Sequence, residues 1–268
     1  MYCKTKNKLD STTNVMGEVF RGIFDHYHEK LFMAHSQVQG LEKFLKKHIN
    51  IEDEASLKEA LNQGRGVILV TGHFGAVEFL PAVLAAHGYP VSIILRFQTR
   101  SLQTSLLERA TLADLELIDA DKGNVLAAAL KALKQGRILI TECDEFEQWR
   151  PNPKQEINFL GSSLAYDRTL DILQQRSGAP VILALMKREE EKRYQLHFSP
   201  IATTPGPGKK AVGKQCLELL EEAIYAAPGH WYQWKEFGKM IYPHLKENSC
   251  EYQADKYLAS EVALYHAH

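Results

Sequence analysis

In EVFRGIFDHYHEKLF, residues 18–32, apolar side chains return every three or four positions, and Val19, Phe20, Ile23, Phe24, Tyr27 and Leu31 share one helical stripe. The spacing predicts an amphipathic helix. Such a stripe more often docks on a protein core than lies on a membrane, so core docking is the expectation. The dozen residues ahead of it read as a loose tail, and ASLKEALNQG predicts a further helix closed by Gly64. From there the pattern alternates. RGVILVTG, YPVSIILRF, LELIDA and RILITECD read as strands, and AVEFLPAVLAAHG, TRSLQTSLLERATLA and NVLAAALKALKQG as the helices between them. LAYDRTLDILQQRSG predicts another helix, and APVILALMKRE and KRYQLHFSP two strands joined closely enough for a hairpin. TTPGPGKK is the clearest loop and VGKQCLELLEEAIYAAPG a late helix.

The series β-α-β-α-β-α-β-α-β-β predicts an α/β fold, a mainly parallel mixed sheet with helices on both faces. One domain is expected over 1–268, with N-terminal helices in 1–63, the α/β core in 64–240 and a C-terminal extension in 241–268. The composition, 45% hydrophobic and 24% charged, fits a globular protein with a substantial core. A formal net charge of −1 argues against a nucleic-acid partner. Cys3, Cys143, Cys216 and Cys250 form no C-x-x-C pair, which suggests neither a zinc framework nor a disulfide scaffold and fits a reducing cytoplasm. There is no signal-peptide pattern and no run of 18 apolar residues, so any membrane contact is expected to be peripheral.

The candidate chemistry lies in GHFGAVE, residues 72–78. On an ideal helix, residues five apart differ by about 140° beyond a full turn, so His73 and Glu78 converge only if the histidine precedes the helix. The layout allows this, with a strand ending near Thr71, a turn bracketed by Gly72 and Gly75, and a helix starting near Ala76. That is the carboxyl end of a parallel strand facing a helix start, where open α/β sheets bind ligands. A histidine there can be a general base and the glutamate its orienting partner. Taken alone, the spacing far more often belongs to an ordinary turn.

Several blocks in order resemble the lipid A biosynthesis acyltransferases, lauroyl and myristoyl transferases within the H-x4-D/E glycerolipid acyltransferase group. GHFGAVE after VILVT matches the strand followed by G-H-F-G-N-W-E, with Ala76 and Val77 in place of Asn-Trp. IILRFQTR matches the block with an arginine after a strand, at Arg96 or at Arg100. TECD stands where the family has P-D-Q-D and keeps two acids, Glu142 and Asp144. NFLG, RSGAPVILA and APGHWYQWKEF match later blocks, the last with Lys235 and Glu236 near the family's arginine pair. The resemblance covers about residues 15–240.

It implies transfer of a fatty acyl group from an acyl thioester, on acyl carrier protein or coenzyme A, to a hydroxyl or amine of a lipid or other polar acceptor. His73 would act as base and Glu78 as its orienter. Backbone N–H groups around Gly75, or Arg96, would hold the oxyanion, or Arg96 a phosphate, and Glu142 and Asp144 would position the acceptor. No bound cofactor and no metal are expected. The thiol of Cys143, set between two acids, should be hard to ionise, against a covalent acyl-enzyme. The chain lacks the membrane-spanning helix that usually opens these enzymes, so a cytoplasmic protein, free or peripheral on the inner face of the membrane, is expected. Two other readings are a non-catalytic acyl- or lipid-binding module, and a thioesterase or hydrolase using the same base on water. The Trp231, Tyr232 and Trp234 group reads as core or interface aromatics, and Lys209, Lys210 and Lys214 as a solvated helix start.

Overall fold

The computed structural model describes residues 14–97, 100–111, 114–190, 193–203 and 210–241. The loose tail, most of the TTPGPGKK loop with Lys209, and the C-terminal extension lie outside them. Two helices, α1 (Val15–His35) and α2 (Val38–His48), lead into a short strand β1 (Ile49–Glu52) and helix α3 (Glu54–Leu61). Next come β2 (Val67–Thr71), α4 (Leu80–Ala86), β3 (Val91–Leu95), α5 (Arg100–Thr111), β4 (Leu115–Asp119), α6 (Val125–Lys134) and β5 (Ile138–Glu142). A hairpin of β6 (Pro151–Phe159) and β7 (Ser162–Asp167) precedes α7 (Thr169–Ser177), β8 (Val181–Arg188), β9 (Tyr194–Ile201), α8 (Val212–Ala226) and α9 (Trp234–Ile241).

The main sheet runs β1-β9-β8-β2-β5-β3-β4, and every pairing in it is parallel except the predicted hairpin of β8 with β9. Strand β2 lies at its centre and is buried on both faces. Val67 and Leu69 join the core on one side, and Ile68 and Val70 the core on the other, as the two-residue period of a strand requires. Neighbouring β5 and β8 divide their residues the same way, so VILVT, ILITE and VILALMKR read as continuous apolar runs for one physical reason. The expected α/β class and mainly parallel sheet are therefore present.

Three local expectations change. Residues 164–167, expected as the start of a helix, form β7, with Ser162, Leu164 and Tyr166 buried alternately. The turn joining β7 to β6 places both Leu160 (φ 48°) and Gly161 (φ 72°) in the left-handed region, the conformation of a tight hairpin. Helix α2 and edge strand β1, which pairs along β9, add elements absent from the sequence pattern. The third change concerns α1, most of whose apolar stripe does not dock on the core: Val19 and Ile23 are half-buried, but Phe20, Phe24, Tyr27 and Leu31 face outward. Its buried residues are Val15, Gly22, His26 and Glu29, while Met16, Phe20, Phe24, Tyr27 and Leu31 are all more than half exposed. A side chain at Gly22 would put its Cβ 1.6 Å from the Gly229 carbonyl oxygen, so the helix meets the body of the protein through Gly22, His26 and Glu29 and, toward its end, through Phe32 and Met33.

Candidate active site

The central strand delivers the histidine. Strands β2 and β5 pair in parallel with Thr71 opposite Glu142, so the residues just beyond them, His73 and Asp144, leave the sheet side by side at its carboxyl edge. The Asp144 carboxylate is fully buried and accepts from the backbone N–H of His73 at 3.0 and 3.1 Å and from the Trp231 indole Nε1–H at 2.7 Å. Its Oδ1 lies 3.0 Å from His73 Nδ1. An ionised carboxylate can only accept, so Nδ1 carries a proton and donates it, which leaves Nε2 as the ring's other nitrogen. Nε2 faces the carboxylates of Glu142 at 3.5 Å and Glu145 at 3.6 Å.

Burial alone would lower the basicity of His73. Asp144, Glu142 and then Glu145 outweigh it and raise the pKa to about 10. Glu142 is itself raised above the usual carboxylate range, by burial first and by its acidic neighbours Asp144 and Glu145, against the pull of His73. Burial, with Asp144 adjacent, pushes the Cys143 thiol well up, as its place between two acids suggested. The ligand atoms of His73, Glu142 and Glu145 lie within 4.8 Å of one another, so this trio could also hold a small cation.

Glu78 sits elsewhere in the site. It is not among the carboxylates within 4 Å of the His73 ring; its Oε1 lies 3.5 Å from Lys30 Nζ and 3.8 Å from His26 Nε2, both on α1. The reason is local. After His73 the chain makes a turn and a short 3-10 segment, Val77–Phe79, before α4 begins at Leu80 with Pro81 in its first turn, and this turns Glu78 toward α1. The carboxylate that contacts the His73 Nδ1 is that of Asp144, expected only to position an acceptor. His26 is buried and held neutral, its pKa lowered to about 3 by burial and then by Lys30, Arg188 and His73. Its ring stacks on Tyr232 at 3.8 Å, and Tyr232 presents its own ring edge to His73 at 5.4 Å.

The backbone N–H groups expected around Gly75 as oxyanion donors are already engaged within the fold. The Gly75 N–H donates to the His230 carbonyl, and the N–H groups of His73, Phe74 and Ala76 are committed to Asp144, Gly72 and Met186. None of these four donors is left for an oxyanion. With φ at 61° and a hypothetical Cβ 1.6 Å from the Met186 carbonyl, the position is open to glycine alone. The Gly75 carbonyl accepts from Arg188 Nη2 at 2.7 Å, while the same guanidinium grips Glu29 of α1 through two 2.8 Å bonds. The sequence pattern did not single out Arg188. Arg188→Met should cost about 3–5 kcal/mol in urea unfolding because it strands the buried Glu29 carboxylate, and pairing it with Glu29→Met should recover part of that loss.

Arg96, just past β3, is exposed and bonds Asp121 and Gln148, each at 2.9 Å, on the same rim of the sheet. A cleft beside His73 is lined by Val77, Leu80, Ile93, Ile94 and Ile140, with Glu78 and Glu142 also on its wall. The sequence places Trp231 and Tyr232 among the packing aromatics. Trp231 is indeed fully buried, against Phe146, Phe159 and Phe237, but its indole N–H also fixes Asp144. Residues 230–232 contact the His73 turn as a short strand would, Phe74 bridging Trp231 and the Tyr232 N–H donating to the His73 carbonyl.

No curated protein sequence matches the chain. The profile of the bacterial lipid A biosynthesis acyltransferase family matches residues 9–236, which takes in the whole of this site and most of the fold. The chain belongs to the bacterial lipid A biosynthesis acyltransferase family, and is a transferase.

Proposed function

We propose that this transferase moves a fatty acyl group from a thioester of acyl carrier protein or coenzyme A to a hydroxyl, or an amine, of a lipid acceptor, with His73 as general base and Asp144 as its orienting partner. The observation that carries the reading is the Trp231–Asp144–His73 chain, which fixes one imidazole tautomer and turns Nε2 toward the acidic wall of the cleft. Nε2 takes the acceptor proton as the oxygen attacks the thioester carbonyl. The tetrahedral intermediate expels the thiolate, which takes the proton back from the imidazolium. Asp144 stabilises that imidazolium while it lasts.

The apolar lining of the cleft suits an acyl chain, and Arg96, exposed just past β3, suits a phosphate of the phosphopantetheine arm or of the acceptor. Glu142 and Glu78 act on the acceptor side, Glu142 through its contact with Nε2 and Glu78 through its position on the cleft wall. The proposed reaction draws on no metal and no bound cofactor. The acceptor is supplied from the inner face of the cytoplasmic membrane, which a peripheral protein can reach.

Hydrolysis of the thioester by the same base is the competing chemistry. Acyl carrier protein and coenzyme A thioesters, each incubated with the enzyme and a dispersed lipid acceptor, should yield an acylated lipid by mass spectrometry. Free fatty acid as the only product would refute the transferase chemistry and support a thioesterase, and binding without turnover would support the non-catalytic reading.

A further inference from the structure

We infer that the exposed stripe of α1 is a docking surface for an anionic lipid bilayer, on which the helix lies in the plane of the surface. Met16, Phe20, Phe24, Tyr27 and Leu31 are 54%, 56%, 73%, 60% and 59% exposed, on a helix whose opposite face is buried. At about 100° per residue these five fall within one narrow strip some 22 Å long, a contiguous apolar patch that a lone protein in water seldom carries. No helix among the described residues is long and apolar enough to cross a membrane, so the fitting geometry is lying rather than spanning.

The charges flanking the strip choose the partner. Within about 100° of its midline on either side the ionisable groups are Arg21, His28, Lys30 and His35, all basic or neutral, whereas Glu18 and Asp25 lie farther round the helix. Basic flanks around an aromatic strip match anionic headgroups above an acyl boundary. A second copy of the chain fits poorly. Two such strips packed face to face would bring basic flank against basic flank with no carboxylate of α1 in reach.

The buried face of the same helix carries groups that meet the site, His26 on Tyr232 and Glu29 on Arg188, and at its margin the exposed Lys30 reaches Glu78. A bilayer held by the outer face would therefore lie at the edge of the cleft. This delivery role rests on the proposed transfer to a lipid, but surface binding itself does not.

The test is co-sedimentation of the full chain with phosphatidylcholine vesicles, with and without phosphatidylglycerol, in the absence of any acyl donor. Wild type should bind the phosphatidylglycerol vesicles, more weakly as salt is raised, and Phe20→Ser/Phe24→Ser should bind at least tenfold more weakly while unfolding at the same temperature. Absence of vesicle binding, equal binding by the double variant, or a wild-type dimer that the variant dissociates would each overturn the inference. Vesicle binding without acyl transfer would count against the proposed reaction alone, and transfer to a detergent-dispersed acceptor without vesicle binding against the docking surface alone.

Discussion

Replacing His73 by alanine is expected to lower the rate of acyl transfer by about 10²–10⁴, with the KM for the acyl thioester little changed. The split follows from where the ring stands. His73 Nε2 faces Glu142, which stands on the wall of the cleft, whereas the apolar lining that would hold the acyl chain comes from Val77, Leu80, Ile93, Ile94 and Ile140. Loss of the base should thus act on the chemical step, and residual activity would come from positioning. The wild-type profile with pH carries a second signature. A base works in its neutral form, and three carboxylates hold the His73 proton up to a pKa of about 10. The active fraction should therefore grow with pH, and kcat/KM should rise about tenfold per unit from near neutrality until it approaches that value, after subtraction of uncatalysed thioester hydrolysis. The midpoint belongs to the His73, Glu142 and Glu145 cluster as a whole. A profile already flat at pH 7–9, or undiminished transfer by His73→Ala, would remove His73 as the base.

Much of the architecture was legible because it depends on runs of apolar residues. VILVT, ILITE and VILALMKR are buried on both faces, and no polar alternation could be tolerated there, so periodicity located them and their helices. The β6–β7 hairpin was hidden for a different reason. Its turn uses a leucine at positive φ, and LAYD carries no glycine or proline to separate it from the helix that follows at Thr169. Helix α1 was found, but its orientation was not. A stripe predicts which residues share a face; it does not say whether that face or the opposite one meets the protein, and here Gly22 and the Glu29–Arg188 pair decide.

The site divides along the same line. His73 follows from a motif within seven residues of sequence, which is why its place at the end of β2 could be anticipated. Its partner could not be, since Asp144 is 71 residues away and comes alongside only through the parallel pairing of β2 with β5. Trp231 is farther still and reaches Asp144 because residues 230–232 pair back onto the turn after His73. Short spacing favoured Glu78 in the sequence, and the 3-10 segment that follows the turn carries it to α1 instead.

Those two carboxylates make competing demands, and Asp144→Asn set beside Glu78→Gln separates them. Asp144→Asn should lower kcat by about 10²–10⁴, because an amide can present its N–H₂ to Nδ1 and favour the wrong tautomer, and because the imidazolium loses its nearest counter-charge. The sign of the accompanying pH shift is fixed by the same charge. Removing an anion that raises the His73 pKa must move the rising limb of the profile to lower pH, so the variant should be slow at its plateau yet reach that plateau earlier. Glu78→Gln leaves the Trp231–Asp144–His73 chain intact and should shift the limb little, with its loss falling on KM for the acceptor. Should Glu78→Gln move the pH profile and Asp144→Asn leave it in place, the orienting role would return to Glu78, and α1 would then have to move for the carboxylate to reach the ring.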